Sequence, residues 1–143
     1  MSTCYIIDTN VVVAGLLSAQ ADSPVVRILD AMLGAAFPFA LSPDLLFEYR
    51  AVLLRPRLVK RHGLTAEQID TVLTDLARLA IVLKPPARGS LTPAPDPGDQ
   101  FLWDLLALRT DLILVTGDQR LLEEAAMRHR VIAPTVLAER LWH

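Results

Sequence analysis

The sequence predicts an α/β protein with a parallel central sheet covered by helices on both faces. Three observations carry that prediction. Short apolar runs without alternation, above all Cys4–Ile7 and Leu112–Val115, read as strands buried on both sides. Longer stretches with helical spacing stand between such runs, several of them opened by Ser-Pro or Thr-x-x-Gln. Strand and helix then alternate along the whole chain, as βα units do.

Cys4–Ile7 is the first strand and runs straight into Asp8, Thr9 and Asn10. Val11–Leu17 is apolar and begins a helix or a buried turn, with Gly15 counting against the helix. Ser23-Pro24 supplies an N-cap and a first helical residue for a helix that fades at Gly34. Phe37–Leu41 is a second strand. Ser42-Pro43 repeats the cap and starts a helix through about Arg55, which Pro56 ends or kinks. Thr65 and Gln68 form a capping box, followed by Ile69, Val72, Leu73, Leu76 and Leu79 on one helical face. Ala80–Lys84 is a third strand or an extension of that helix. Pro85–Gly98 contains five of the ten prolines and two of the six glycines, so it is a loop. A helix from Asp99 to about Leu108, the strand Leu112–Val115 and a helix from Gln119 to Met127 follow. A short strand, Val131–Ile132, and a terminal helix from Pro134 to about Trp142 complete the series.

The chain has 143 residues, enough for one domain with a sizeable core, and 52% of them are hydrophobic. No uninterrupted apolar run approaches the roughly 20 residues of a membrane-spanning helix. No basic residue precedes Arg27 and Asp8 interrupts the first apolar run, so neither a signal peptide nor a membrane anchor is expected, and the expected compartment is the cytoplasm. The single cysteine, Cys4, has no partner for an internal disulfide and reads as a buried, inert thiol. A net charge of −2 excludes global basic attraction to nucleic acid, so any such binding must rest on a local patch.

Of the sixteen acidic residues, four stand apart. Asp8 and Asp118 each lie just past the carboxyl end of a predicted strand, where open parallel sheets bind their ligands. Asp99 opens the helix leading into the strand before Asp118. Glu48 shares a helical face with Leu45 and Val52, so its carboxylate is expected on a partly apolar stripe facing the sheet. Asp8, Asp99 and Asp118 each have a simpler reading as a cap, turn or helix-dipole residue; the joint placement of the four at one sheet edge favours a site. Converging carboxylates repel one another and their pKa values rise unless a cation is present. Hard divalent cations such as Mg²⁺ or Mn²⁺ take such oxygen shells and serve phosphodiester cleavage. Asp104, about 140° round the helix from Asp99, is expected to point elsewhere.

Ile7-Asp8-Thr9-Asn10, Ser42-Pro43 with Glu48, Asp96-Pro97-Gly98-Asp99 and Val115-Thr116-Gly117-Asp118 resemble, in that order, the motifs of the PIN domain. The closest likeness is to the toxin components of bacterial toxin–antitoxin systems, the VapC-like ribonucleases, and it extends over residues 1–143 as a single domain. The resemblance implies a three-layer α/β/α sandwich and a Mg²⁺- or Mn²⁺-dependent endoribonuclease that hydrolyses RNA phosphodiester bonds. Its acidic quartet falls on Asp8, Glu48, Asp99 and Asp118. Asp8 and Asp99 are the implied main metal ligands, Glu48 and Asp118 act directly or through water, and Asn10 and Thr116 give hydrogen-bonding support. Asp96 is an extra acid where many relatives carry a longer acidic run, which Gly98 and Gln100 interrupt here. The resemblance further implies a homodimer and a cognate antitoxin that occupies the site.

Arg50, Arg55, Arg57, Lys60 and Arg61, with His62, fall within thirteen residues beginning just after Glu48. Beside an acidic metal site they are candidates to hold RNA phosphates, which position rather than specify; the plainer reading is a solvated helix face. Trp103 and Trp142 read as core or interface, and no aromatic stacking platform stands out. Two other functions are open to the same residues. An Asp-nucleophile phosphatase or phosphotransferase would use Asp8 with Lys84. A catalytically silent PIN-like module would only dimerise or bind antitoxin, although all four acids are present.

Overall fold

The computed structural model describes residues 3–86, 92–124 and 127–142. Strands β1 (Cys4–Ile7), β2 (Phe39–Leu41), β3 (Ile81–Val82), β4 (Leu112–Val115) and β5 (Val131–Ile132) form one sheet in the order β3-β2-β1-β4-β5, parallel throughout. The helices are α1 (Thr9–Leu17), α2 (Pro24–Leu33), α3 (Pro43–Leu53), α4 (Pro56–His62), α5 (Ala66–Leu79), α6 (Gln100–Leu106), α7 (Gln119–Leu122) and α8 (Pro134–Trp142).

The chain steps one way from β1 to β2 to β3, then crosses back to β4 and on to β5. Because parallel crossovers are right-handed, α1–α5 cover one face and α6 and α7 the other. The result is the three-layer α/β/α sandwich that the resemblance implied. The reversal of direction lies between β1 and β4, and the crevice outside their carboxyl ends is where such sheets bind ligands.

The two central strands are buried almost throughout, which is why they are apolar without alternation. Side chains such as Ile6, Ile7, Leu114 and Val115 are at most 1% exposed, and each such burial contributes about 1.5–3 kcal/mol. Cys4 lies among them, free and inert, its thiol pushed up by burial. Gly15 does not break α1. A Cβ there would stand 2.8 Å from the Val25 carbonyl oxygen, so the missing side chain lets α2 pack closely against α1.

The caps of Ser23, Ser42 and Thr65 form as expected, the last as a full capping box. Other expectations need correction. Pro56 does not merely end α3: it is the first residue of a separate helix, α4, because its fixed φ suits a helical start. His62 joins the two, with Nε2 2.8 Å from the Leu53 carbonyl and Nδ1 accepting from the Leu64 amide at 2.9 Å. Strand β2 begins at Phe39 rather than Phe37, and β3 keeps only Ile81 and Val82, both exposed at the sheet edge. Leu79 is 42% exposed, off the face buried by Ile69, Leu73 and Leu76. The proline-rich loop extends to Asp96, with residues 87–91 outside those described; Pro97–Asp99 form a 3₁₀ turn and α6 follows. The helix expected to reach Met127 stops at Leu122, with residues 125–126 outside those described. Trp103 is fully buried in the core, while Trp142 packs α8 on α2 with the Arg27 guanidinium 4.2 Å above its ring.

Candidate active site

Ile7 of β1 is paired with Val115 of β4, so the residues that follow, Asp8 and Thr116, emerge together. The Asp8 amide donates to the Val115 carbonyl at 2.9 Å and extends the pairing by one step. Asp8 is 4% exposed and Thr116 fully buried. As the N-cap of α1, Asp8 accepts at Oδ1 from the Thr9 amide at 2.8 Å. Its Oδ2 accepts from the Thr116 hydroxyl at 2.7 Å and from the Asn10 side-chain amide at 3.0 Å. Thr116 Oγ1 also accepts from Asn10 at 3.2 Å and from the Asp118 backbone amide at 3.0 Å. Asn10 Oδ1 closes the ring by accepting from the Gly117 amide at 2.8 Å. A Cβ on residue 117 would stand 3.3 Å from that oxygen, so the glycine leaves Asn10 its place. Capping engages only Oδ1 through the Thr9 amide, so the cap reading of Asp8 leaves its site reading open.

Glu48 is brought in by α3. Its neighbour Tyr49, fully buried, donates its hydroxyl to the Ile7 carbonyl and ties α3 to the end of β1. Burial, then the nearby Asp8 and Glu48 carboxylates, push that phenol well above its ordinary range. Glu48 is half-buried rather than turned to the sheet, and its Oε1 accepts from the Thr9 hydroxyl at 2.5 Å. Asp99 ends the 3₁₀ turn at the head of α6. Asp118 caps α7, accepting from the Arg120 amide at 2.9 Å.

Asp8, Glu48, Asp99 and Asp118 line one cleft of about 1010 Å³, with Asn10 on the same wall. Burial, against the lowering hydrogen bonds from Thr116 and Thr9 and with the help of Glu48 and Asp99, pushes the Asp8 carboxyl up to about 6. Asp99 is also raised, by burial first and then by Asp118, Asp96 and Glu48. Asp8 and Asp99 are thus each raised by other acids of the cleft, with Arg120 3.5 Å from Asp96 and 3.9 Å from Asp118 at its rim. The carboxylates surround the cleft without closing on a point: among the described residues, no three acidic, His or Cys side chains form a group tight enough to hold an ion as they stand.

The other expected residues divide. Asp96 caps the 3₁₀ turn, accepting from the Gly98 amide at 2.9 Å, and does not line the cleft. Asp104 does not line it either; its Oδ1 accepts from Gln100 at 3.2 Å. Of the basic cluster, Arg55 and Arg61 line the cleft, whereas Arg57 and Lys60 are exposed on α4 outside it. Arg50 lies on another side of α3, donating through Nε to Asp70 of α5 at 2.7 Å. Lys84 is exposed beyond the edge strand β3, away from Asp8. Three neighbours of Glu48 went unremarked in the sequence. Asp44, four residues before it, and Phe47 line the cleft, while Tyr49 anchors the helix. The spacing that put Leu45 and Val52 beside Glu48 also puts Asp44 there.

A family model described as the PIN domain matches residues 5–120. The chain belongs to the PIN domain family. It is also similar in structure to PAE2754 from Pyrobaculum aerophilum, with 18% identity over 97% of this chain and 89% of that one, at a TM-score of 0.59. That likeness supports the fold alone. No curated protein matches the sequence. PIN domains make up a nuclease superfamily and typically work with divalent metals. The donor set of this PIN domain fits such an ion in kind. It is all oxygen and carries several negative charges, and burial, with the neighbouring Glu48 and Asp99, raises the carboxyl of its most buried member, Asp8. Among the described residues no helix is long and apolar enough to cross a membrane.

Proposed function

We propose that the chain acts as one PIN domain over residues 1–143 and is a divalent-metal-dependent endoribonuclease, the toxin of a toxin–antitoxin pair. The observation that carries this reading is that Asp8, Glu48, Asp99 and Asp118, from four separate elements, line one cleft at the reversal point of the sheet. Burial of a carboxylate among others of like charge is costly, and a bound cation is the simplest thing that offsets it.

Asp8 and Asp99 are the main residues to hold Mg²⁺ or Mn²⁺, with Glu48 and Asp118 completing the set. Bound there, the ion supplies charge stabilisation for the phosphodiester and lowers the pKa of water. Thr116, Asn10 and the Thr9 amide hold the Asp8 carboxylate in one orientation. The Thr9 hydroxyl orients Glu48. Arg55 and Arg61, farther along the cleft, hold the phosphates flanking the bond to be cut. The toxin assignment, the homodimer and the antitoxin that covers the cleft rest on the order of the four motifs along the chain.

The test is cleavage of a mixed RNA pool by purified protein in Mg²⁺, Mn²⁺ or EDTA. Cutting that needs the metal and disappears in Asp8→Asn supports the nuclease. Absence of cutting by folded, antitoxin-free protein in either metal rejects it in favour of the silent binding module. Growth arrest on expression, relieved by Asp8→Asn, is the corresponding test of the toxin assignment.

A further inference from the structure

Helix α3 carries two stripes. Leu45, Tyr49 and Leu53 face the core at intervals of four and are fully buried. Asp44, Phe47, Glu48, Ala51 and Val52 recur at intervals of three and four on the other side, and all of them line the cleft, as does Arg55 just beyond the helix. Phe47 is 74% exposed, more than any other large apolar side chain among the described residues. Folding does not explain it, since the core stripe is already complete without it. The next residue is Glu48, and Arg55, the extended N-cap residue of α4 just past the end of α3, lines the same cleft. An exposed π-face therefore stands beside a carboxylate of the acidic quartet, with a cation on the far side of that carboxylate, on the wall of one cleft.

We propose that Phe47 is a stacking platform for a nucleobase next to the phosphodiester held at the acidic end, with the strand's next phosphates running towards Arg55 and Arg61. This deepens the nuclease reading and rests on it for the position of the cut. Single-stranded nucleic acid joins flat apolar rings to regularly spaced negative charges, and the aromatic and arginine residues of this wall match that alternation. Stacking uses a face that every base has, so Phe47 is a positioning residue with little sequence preference.

The test is equilibrium binding of a fluorescein-labelled single-stranded RNA dodecamer in EDTA, where cleavage does not interfere. Wild type, Phe47→Ala and Phe47→Trp are compared, with circular dichroism to show that the variants are folded. Phe47→Ala is expected to weaken binding about tenfold, within the range for losing one base–aromatic stack, while Phe47→Trp keeps it. A dodecamer with consecutive abasic sites should bind wild type and Phe47→Ala alike. Equal affinity of Phe47→Ala and wild type for the intact RNA overturns the proposal and leaves the ring to a protein contact. Failure of wild type to bind the RNA overturns it as well. Cleavage that persists without any dependence on Phe47 rejects the platform but keeps the nuclease. Binding that depends on Phe47 without cleavage in Mg²⁺ or Mn²⁺ rejects the nuclease but keeps the platform.

Discussion

On the β1–β4 wall of the cleft, Asp8 is 4% exposed and accepts three hydrogen bonds from Thr9, Asn10 and Thr116. On the α3–α4 wall, Phe47 is 74% exposed, and Arg55 and Arg61 are exposed as well. The difference follows from what each wall must hold. A carboxylate at the end of a buried strand loses solvation, so it keeps its charge only as far as its hydrogen bonds and a nearby cation allow. A side chain on a helix rim keeps its water and can be exchanged with little effect on folding. Rigid placement of charge therefore belongs to the strand wall, and contact along a substrate to the helix wall.

The sharpest way to break this comparison is Asp8→Asn. Metal-dependent RNA cleavage should fall by more than the ten- to hundredfold typical of losing a residue that merely supports a ligand. Cleavage assayed across RNA concentrations should show the loss in kcat. An equal loss from Arg61→Ala would erase the distinction between the walls.

Next comes pH. The Asp8 carboxyl releases its proton near 3.8 when unfolded and at about 6 when folded, so the folded state binds more protons between those values. Asp8 therefore favours folding at about pH 4 and below, and that contribution is lost as pH rises to about 6, by roughly 3 kcal/mol at 1.36 kcal/mol per unit. Urea unfolding in EDTA should show Asp8→Asn gaining on wild type across this window. A constant difference from pH 4 to 7 would mean that the carboxylate is not desolvated. Added Mg²⁺ should stabilise wild type at pH 7.5 and leave Asp8→Asn unchanged.

Thr116→Val removes a donor to Asp8 while nearly keeping the shape of the side chain. Its hydrogen bond lowers the Asp8 pKa, so its loss should raise that pKa further, read by carboxyl NMR titration. Activity should fall about ten- to hundredfold. The smallest effects belong to the helix wall. Arg55→Ala and Arg61→Ala should each weaken RNA binding evenly across sequences and lower the salt slope of log Kd by about 1. Arg50→Ala, whose partner is Asp70 outside the cleft, should leave that slope unchanged. A change equal to that of Arg55→Ala would show RNA reaching past the rim.

Much of the scaffold was legible in the residues. The strands β1, β4 and β5 and the caps at Ser23, Ser42 and Thr65 fell where expected, because two-sided burial and capping are local demands on residue type. The failures were those of one-dimensional spacing. Arg50 and Arg55 are close in sequence, yet one faces α5 and the other the cleft, because α3 ends between them and Arg55 takes an extended backbone at the start of α4. Pro56 reads in the sequence only as the end or kink of one helix, yet its fixed φ also suits the first residue of another, which is where it stands in α4. Phe47 could not be told from a core aromatic, since hydrophobicity alone does not say which stripe of α3 packs inward.

By itself, the sequence determined the parallel α/β class, the alternation of elements, the three aspartates standing at their ends and Glu48 within a helix, since these depend on local residue type and order. Only the tertiary structure decided which acids share a cleft, that Asp96 and Arg50 do not line it, and that Phe47 does. Those outcomes depend on the register of β1 against β4 and on the rotation of α3 about its axis. Both are set by the packing of residues far apart in the chain, through the Ile7–Val115 pairing and the Tyr49 bond to the Ile7 carbonyl.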